Sequence, residues 1–208
     1  MRNNEVENNT INVSGVVSEP PKFSHEVFGE GFFQFLLTTN RTSGQSDLLP
    51  ITVSERLVNL DDLQVGATVS VVGQIRTYNK HEDTRNRLII SVFARELEFM
   101  GEETQDINQV YLTGFVCKLP NYRKTPLGRE IADILIAVNR PYGKSDYIPG
   151  IAWGRNARFA QNLQNGTHLE IQGRLQSRVY NKRISETETE EHVAYEVSIS
   201  KLDVIDKE

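Results

Sequence analysis

Cysteine is nearly absent: Cys117 is the one example in 208 residues. No intramolecular disulfide can form, which fits a reducing compartment and argues against a small secreted scaffold held by cross-links. Long apolar runs are missing too. No stretch approaches the roughly 18 apolar residues of a membrane helix. The start, MRNNEVENNT, lacks the apolar core of a signal peptide. Catalytic signatures are also lacking, with no G-x-x-x-x-G-K-[ST] loop and no G-x-S-x-G elbow. His25, His81, His168 and His192 are scattered and lack ligand spacing with Cys117. Asp61–Asp62 and Glu102–Glu103 are adjacent pairs, whose side chains diverge and suit a solvated face better than shared acid–base work. The expectation is a cytoplasmic protein that is not an enzyme and needs no metal or cofactor.

What is present is a globular composition, 38% hydrophobic and 25% charged, sufficient for one large domain or two small ones. The net charge of −5 speaks against a polyanionic partner. It is unevenly spread, however. Residues 1–107 hold 9 basic and 16 acidic side chains, a net of −7, and residues 108–208 hold 14 and 12, a net of +2. The second half is the better polyanion binder, although drift in surface charge gives the same numbers.

The chain repeats itself at a spacing of about one hundred residues. NTINVSGVV at Asn9 matches NQVYLTGFV at Asn108, and LQVGATVSVVGQIRT at Leu63 matches LQNGTHLEIQGRLQS at Leu163. Between them, NRTSGQSDLLP at Asn40 matches NRPYGKSDYIP at Asn139, both instances of N-R-x-x-G-x-S-D-x-x-P. Each copy reads as a strand ending at a small residue and glycine (Ser14–Gly15, Thr113–Gly114). A second strand covers Phe32–Thr39 or Ile131–Val138, and a third covers Leu48–Val53 or Tyr147–Trp153. A short helix follows near Glu55–Leu63 or Asn156–Leu163, with Gly66 or Gly166 as its C-terminal cap. A fourth alternating strand runs through Gly73 or Gly173, where a missing Cβ permits a bend, and a hairpin leads to a fifth. Five short strands with a helix between the third and fourth is the order of an OB-fold, a five-stranded Greek-key barrel. Another small antiparallel barrel or sandwich is the alternative, and the helix position favours the OB-fold. The predicted architecture is all-β, with two tandem OB-folds. Residues 1–103 form the first, 104–107 a polar linker, and 108–208 the second.

In the second copy Tyr142, Tyr147, Trp153 and Tyr180 fall at or near strand ends and loops. Tyr147 and Trp153 are six apart and share a face if the strand is regular, but Pro149 between them demands an edge or a bulge. Among them stand Arg140, Lys144, Arg155, Arg158, Arg174, Arg178 and Lys182. Rings for bases and cations for phosphates are what an unpaired nucleic-acid strand requires. Aromatics favour strands for packing reasons as well, and Trp153 at the end of an apolar strand suits a core equally.

AVNR, D-Y-I, WG-x-x-A and G-x-x-x-x-I-x-G-R-L-x-x-R-x-Y follow one another through the second copy. In these elements and their order it resembles the bacterial single-stranded DNA-binding protein family. The resemblance implies that Tyr142, Tyr147, Trp153 and Tyr180 stack on bases, and that Arg140, Lys144, Arg155, Arg174, Arg178 and Lys182 hold phosphates. The first copy has Ser43, Leu48, Ser54 and Tyr78 at the four ring positions, so its candidates are weaker: Arg41, Arg76, Tyr78 and Lys80, with Arg85 and Arg87 beyond them. The shared N-R, G and S-D-x-x-P skeleton therefore reads as structural, serving a turn and strand re-entry, and the rings read as functional.

The implied function is binding of single-stranded DNA with little sequence preference, in replication, repair or recombination. The family commonly assembles four barrels, which implies a homodimer here. The hairpin after Tyr180 ends in an acidic tip, Ser185 to Glu191, expected to face solvent or a partner. The family's usual acidic-hydrophobic tail is not expected here, because the sequence ends at KLDVIDKE, so recruitment of replication or repair proteins by that route is in doubt. The alternative is an OB-fold protein-interaction module of a replication or mobile-element assembly. RNA is a third possible ligand.

Overall fold

The computed structural model describes residues 8–82, 85–101, 105–183 and 189–205, with the side chains of 81, 82, 85, 86 and 182 left out. Lys182 and Arg85 as phosphate candidates, the first linker residue Thr104, and 185–188 of the acidic tip therefore lie outside the described residues.

The first half folds as β1 (Asn9–Val27), β2 (Glu30–Asn40), β3 (Ser46–Ser54), β4 (Thr68–Glu82) and β5 (Arg85–Phe99). The second folds as β6 (Asn108–Val116), β7 (Asn121–Lys124), β8 (Glu130–Arg140), β9 (Lys144–Trp153), α1 (Arg155–Ala160), β10 (His168–Arg183) and β11 (Thr189–Val204). In the first half β1 pairs with β2, β2 with β3, β3 with β5 in parallel, β5 with β4, and β4 again with β1. That closes a five-stranded barrel. β6, β8, β9, β11 and β10 close the second in the same way, with β7 added on β8. Each barrel is filled from alternate strand positions, by Phe35, Leu37, Ile51 and Ile75 in one and by Ile136, Ile148, Leu169 and Leu175 in the other. The all-β, OB-type expectation is met.

Gly73 and Gly173 mark the corner of each barrel. A Cβ at Gly173 would lie 2.3 Å from the Ser198 carbonyl oxygen, and one at Gly73 would lie 2.2 Å from that of Phe93. Both ladders slip register at that point, a bulge that curves the long strand round the barrel.

Three local expectations change. The first strand does not stop at Ser14–Gly15 but runs on to Val27, absorbing its curvature through register shifts against β2. The helix expected over Glu55–Leu63 is only a 3-10 turn at Leu60–Asp62, capped by the Asn59 side chain. Gly66 and Gly166 are not helix caps. Both have positive φ and donate their amides to Val17 and Val116, and so turn the chain onto the barrel wall before β4 and β10.

The barrels are continuous with each other. Asn9–Val13 of β1 pairs antiparallel with Asn108–Leu112 of β6 while also holding β4 on its other side. Eleven strands thus form one sheet wound into two barrels about a local pseudo-dyad.

Candidate nucleic-acid interface

The repeated N-R-x-x-G-x-S-D-x-x-P skeleton lies at that junction. Within each copy a serine hydroxyl closes the loop on an asparagine, Ser46 to Asn40 at 2.8 Å and Ser145 to Asn139 at 3.2 Å. Each aspartate is fully buried and accepts an amide of the other barrel. Ser177 N–H donates to Asp47 Oδ1 at 2.8 Å, and Thr77 N–H donates to Asp146 Oδ1 at 2.6 Å. The hydroxyls reciprocate, with Leu48 N–H donating to Ser177 and Tyr147 N–H to Thr77, at 2.9 and 2.8 Å. The skeleton is structural, as expected, but it also clamps one barrel to the other.

Arginines complete the clamp. Arg41 donates to both oxygens of Asp47, and Arg76 of the first barrel donates to Asp146 of the second at 3.1 Å. Arg140 Nε also lies 3.1 Å from Asp146 Oδ2, but off the line of a hydrogen bond. Hydrogen bonding to Asp47 raises the pKa of Arg41. Burial lowers those of Arg76 and Arg174, the latter also through repulsion from Arg41. Each buried carboxylate therefore faces two guanidiniums, Asp47 with Arg41 and Arg174, and Asp146 with Arg76 and Arg140. Each cluster keeps a net positive charge.

Beside the Asp47 cluster opens a cleft of about 790 Å³ in the second barrel. Trp153 forms part of its wall, with Arg41, Arg123, Arg129, Arg174 and Arg178 around it. Trp153 is 38% exposed, so its ring is only partly covered by protein. Pro149 does not break the phase of β9. The β8–β9 ladder runs unbroken from Trp153 to Lys144, and β9 meets β11 only at Gly150–Ala152, so Pro149 stands where one strand edge is still open. Tyr147, Pro149, Ile151 and Trp153 share one face, and six residues of strand span about 20 Å. Tyr180, on β10, has Arg178 over its ring at 5.6 Å and His192 stacked at 5.7 Å.

The predicted residues divide. Trp153, Arg174 and Arg178 come together in the cleft. Tyr180 adjoins it through Arg178, and Tyr147 lies at the far end of the face, its amide bound to Thr77. Tyr142 projects from the β8–β9 loop, 99% exposed and with φ +64°, a conformation a non-glycine residue rarely adopts without cause. Lys144 and Arg155 are exposed and have no carboxylate partner among the described residues, but they do not line the cleft. Arg158 is paired with Glu130 at 3.0 Å. Arg140 is tied to Asp146 and lines a separate cleft with Arg76 and Tyr78 of the first barrel. Arg41, a weaker first-copy candidate, crosses into the second barrel's cleft, so the two barrels exchange loop arginines. Lys80 and Arg87 line neither cleft.

Sequence reasoning missed Arg123 and Arg129, which reach the cleft from the β7–β8 hairpin. Arg123 binds Asp133 at 3.0 Å, and Arg129 has no carboxylate partner among the described residues. Both precede Tyr142, the first of the four expected rings, so the ring pattern did not single them out.

The model of the Single-strand binding protein family matches residues 107–204. The match takes in the second barrel, which is similar to this family over its whole length. Curated relatives agree. "Single-stranded DNA-binding protein A" of Bacillus subtilis is 36% identical over 81 residues, covering 36% of this chain and 47% of that one. "Single-stranded DNA-binding protein" of Halalkalibacterium halodurans is 33% identical over 81 residues, covering 36% and 48%. The chain spans about half the length of the curated relatives it matches. The wild-type single-stranded DNA binding protein of Thermus aquaticus superimposes with a TM-score of 0.76 at 20% identity, over 96% of this chain and 94% of that one. That likeness of fold takes in both barrels.

Proposed function

We propose that the chain binds single-stranded DNA with little sequence preference. The observation that carries this reading is Trp153 set among five guanidiniums, one of them supplied by the other barrel. An indole stacks on any base and contributes about 1–3 kcal/mol per base. Guanidiniums neutralise phosphates and release counterions. Bases stack on Trp153 and Tyr180 and continue toward Tyr147 and Tyr142. Arg129 and Arg174 hold the backbone, with Arg41, Arg123 and Arg178 supporting them from their ion pairs with Asp47, Asp133 and Glu196. Lys144 and Arg155 extend the path at its ends. The relatives' names support the same ligand.

The protein acts in the cytoplasm at the nucleoid, covering unpaired strands in replication, repair or recombination. Two chains associate, giving four barrels; light scattering at two-chain mass tests that. Among the described residues no helix is long and apolar enough to cross a membrane.

Because the chain has a single tryptophan, oligothymidine should quench its emission, with affinity falling as salt rises. Absence of both quenching and a retarded band at low salt would favour a protein-interaction role. Oligouridine in parallel separates DNA from RNA preference.

A further inference from the structure

The first barrel lacks three of the four expected rings, but rings have reappeared on neighbouring positions. In the second barrel Trp153 on β9 stands opposite Ile131 on β8. At the matching rung of the first barrel Ser54 on β3 stands opposite Phe32 on β2. The ring has kept its rung and changed strand. Phe93 likewise stands opposite Gln74 on β4, where the second barrel has Ser198 opposite Arg174 on β10. His25 lies flat on Phe32, with centroids 5.0 Å apart and planes 11° apart, and Phe93 approaches Phe32 at 5.7 Å.

Phe32 itself is buried, and the rings packed on it, His25 and Phe93, line a cleft of about 590 Å³ together with Tyr78, with Arg76 and Arg140 at the barrel junction. Such a volume suits a nucleotide-sized ligand. Packing alone does not account for it, because His25 is exposed and Tyr78 is 58% exposed. The floor is polar, with Thr52 donating to Ser91 at 3.1 Å. Arg140 Nε is buried without a hydrogen-bond acceptor at the cleft edge. The two clefts thus differ in kind. One is rich in guanidiniums with a single indole, and the other is rich in rings with two guanidiniums that share Asp146.

We propose that the His25–Phe93–Tyr78 cleft is a second base-stacking site for the same single strand, joining the retained Tyr78 to two rings at positions that the second barrel does not use. The inference rests on the proposed DNA-binding function. It predicts that the strand is held mainly through phosphates on one barrel and mainly through bases on the other.

The test moves the fluorescent reporter. In a Trp153→Phe background, Phe93→Trp places the only indole in the first cleft. An oligothymidine of about 35 nucleotides, long enough for two barrels at roughly 4–16 nucleotides each, should quench it in step with the retarded band. If wild-type Trp153 is quenched and a band forms while the indole at position 93 is unmoved at saturation, the second site is refuted and the proposed function stands. If the wild type neither shifts nor quenches, both readings fall together. Should Phe93→Trp not fold, His25→Ala with Phe93→Ser decides. Affinity for the ~35-mer should drop about tenfold or more, while the salt slope stays the same because no cation has gone. A ~10-mer read at Trp153 should bind as before. An unchanged ~35-mer affinity overturns the proposal.

Discussion

Asp146 of the second barrel receives the Arg76 guanidinium of the first at 3.1 Å while its own carboxylate is fully buried. It also holds the Thr77 amide and lies against Arg140. Removing one member of such a cluster leaves the others desolvated and unpaired, which is costlier than never having built it. The arginines keep about a quarter of their exposure, which moderates the loss. Asp146→Ala is expected to lower stability by about 2–4 kcal/mol, read by urea unfolding. Asp47→Ala should behave alike, because its cluster is the pseudo-symmetric counterpart.

Arg129 and Arg140 make a contrasting pair. Arg129 is exposed and lines the cleft without a carboxylate partner among the described residues, whereas Arg140 is tied to Asp146. Arg129→Ala should leave unfolding unchanged and reduce the slope of log affinity against log salt by about 0.7, the value for one phosphate on a single strand. Arg140→Ala should show chiefly in stability.

Tyr142 sits at φ +64° with its ring wholly in solvent. Tyr142→Gly relieves that backbone, so stability should hold within about 1 kcal/mol. Oligothymidine affinity should fall roughly fivefold or more through the lost stacking surface. Equal affinity would assign the tyrosine no part in binding.

Gly173→Ala drives a methyl group to 2.3 Å from the Ser198 carbonyl, a backbone atom that cannot rotate away. A loss of at least about 3 kcal/mol in urea, or failure to accumulate folded protein, is expected. Gly166→Ala meets no atom within 4 Å and costs only its φ of +82°, so it should lose less.

Much of the fold was written in local pattern. Gly73 and Gly173 announced the barrel corners because only a missing side chain admits the crossing strand. The cleft was half visible. Trp153, Arg174 and Arg178 lie on strands whose alternation sets their direction, so they could be placed. The clefts that Arg41 and Arg140 enter could not be foreseen, because they depend on how two barrels meet, and the pairing of Arg76 with Asp146 across 70 residues leaves no trace in spacing. The displaced rings escaped for a similar reason. Phe32 and Phe93 became neighbours only through strand pairing, whereas aligned copies compare like with like along the chain.

The shared strand β1, held on one side by β4 and on the other by β6, makes the two halves permanent companions. An assembly of identical subunits must carry every substitution twice, once on each side of its axis. Here Gln74 and Arg76 stand where the sister half has Arg174 and Gln176, a reversal no self-matching pair of separate chains could hold. Covalent union thereby releases the halves from sameness, and each is free to specialise.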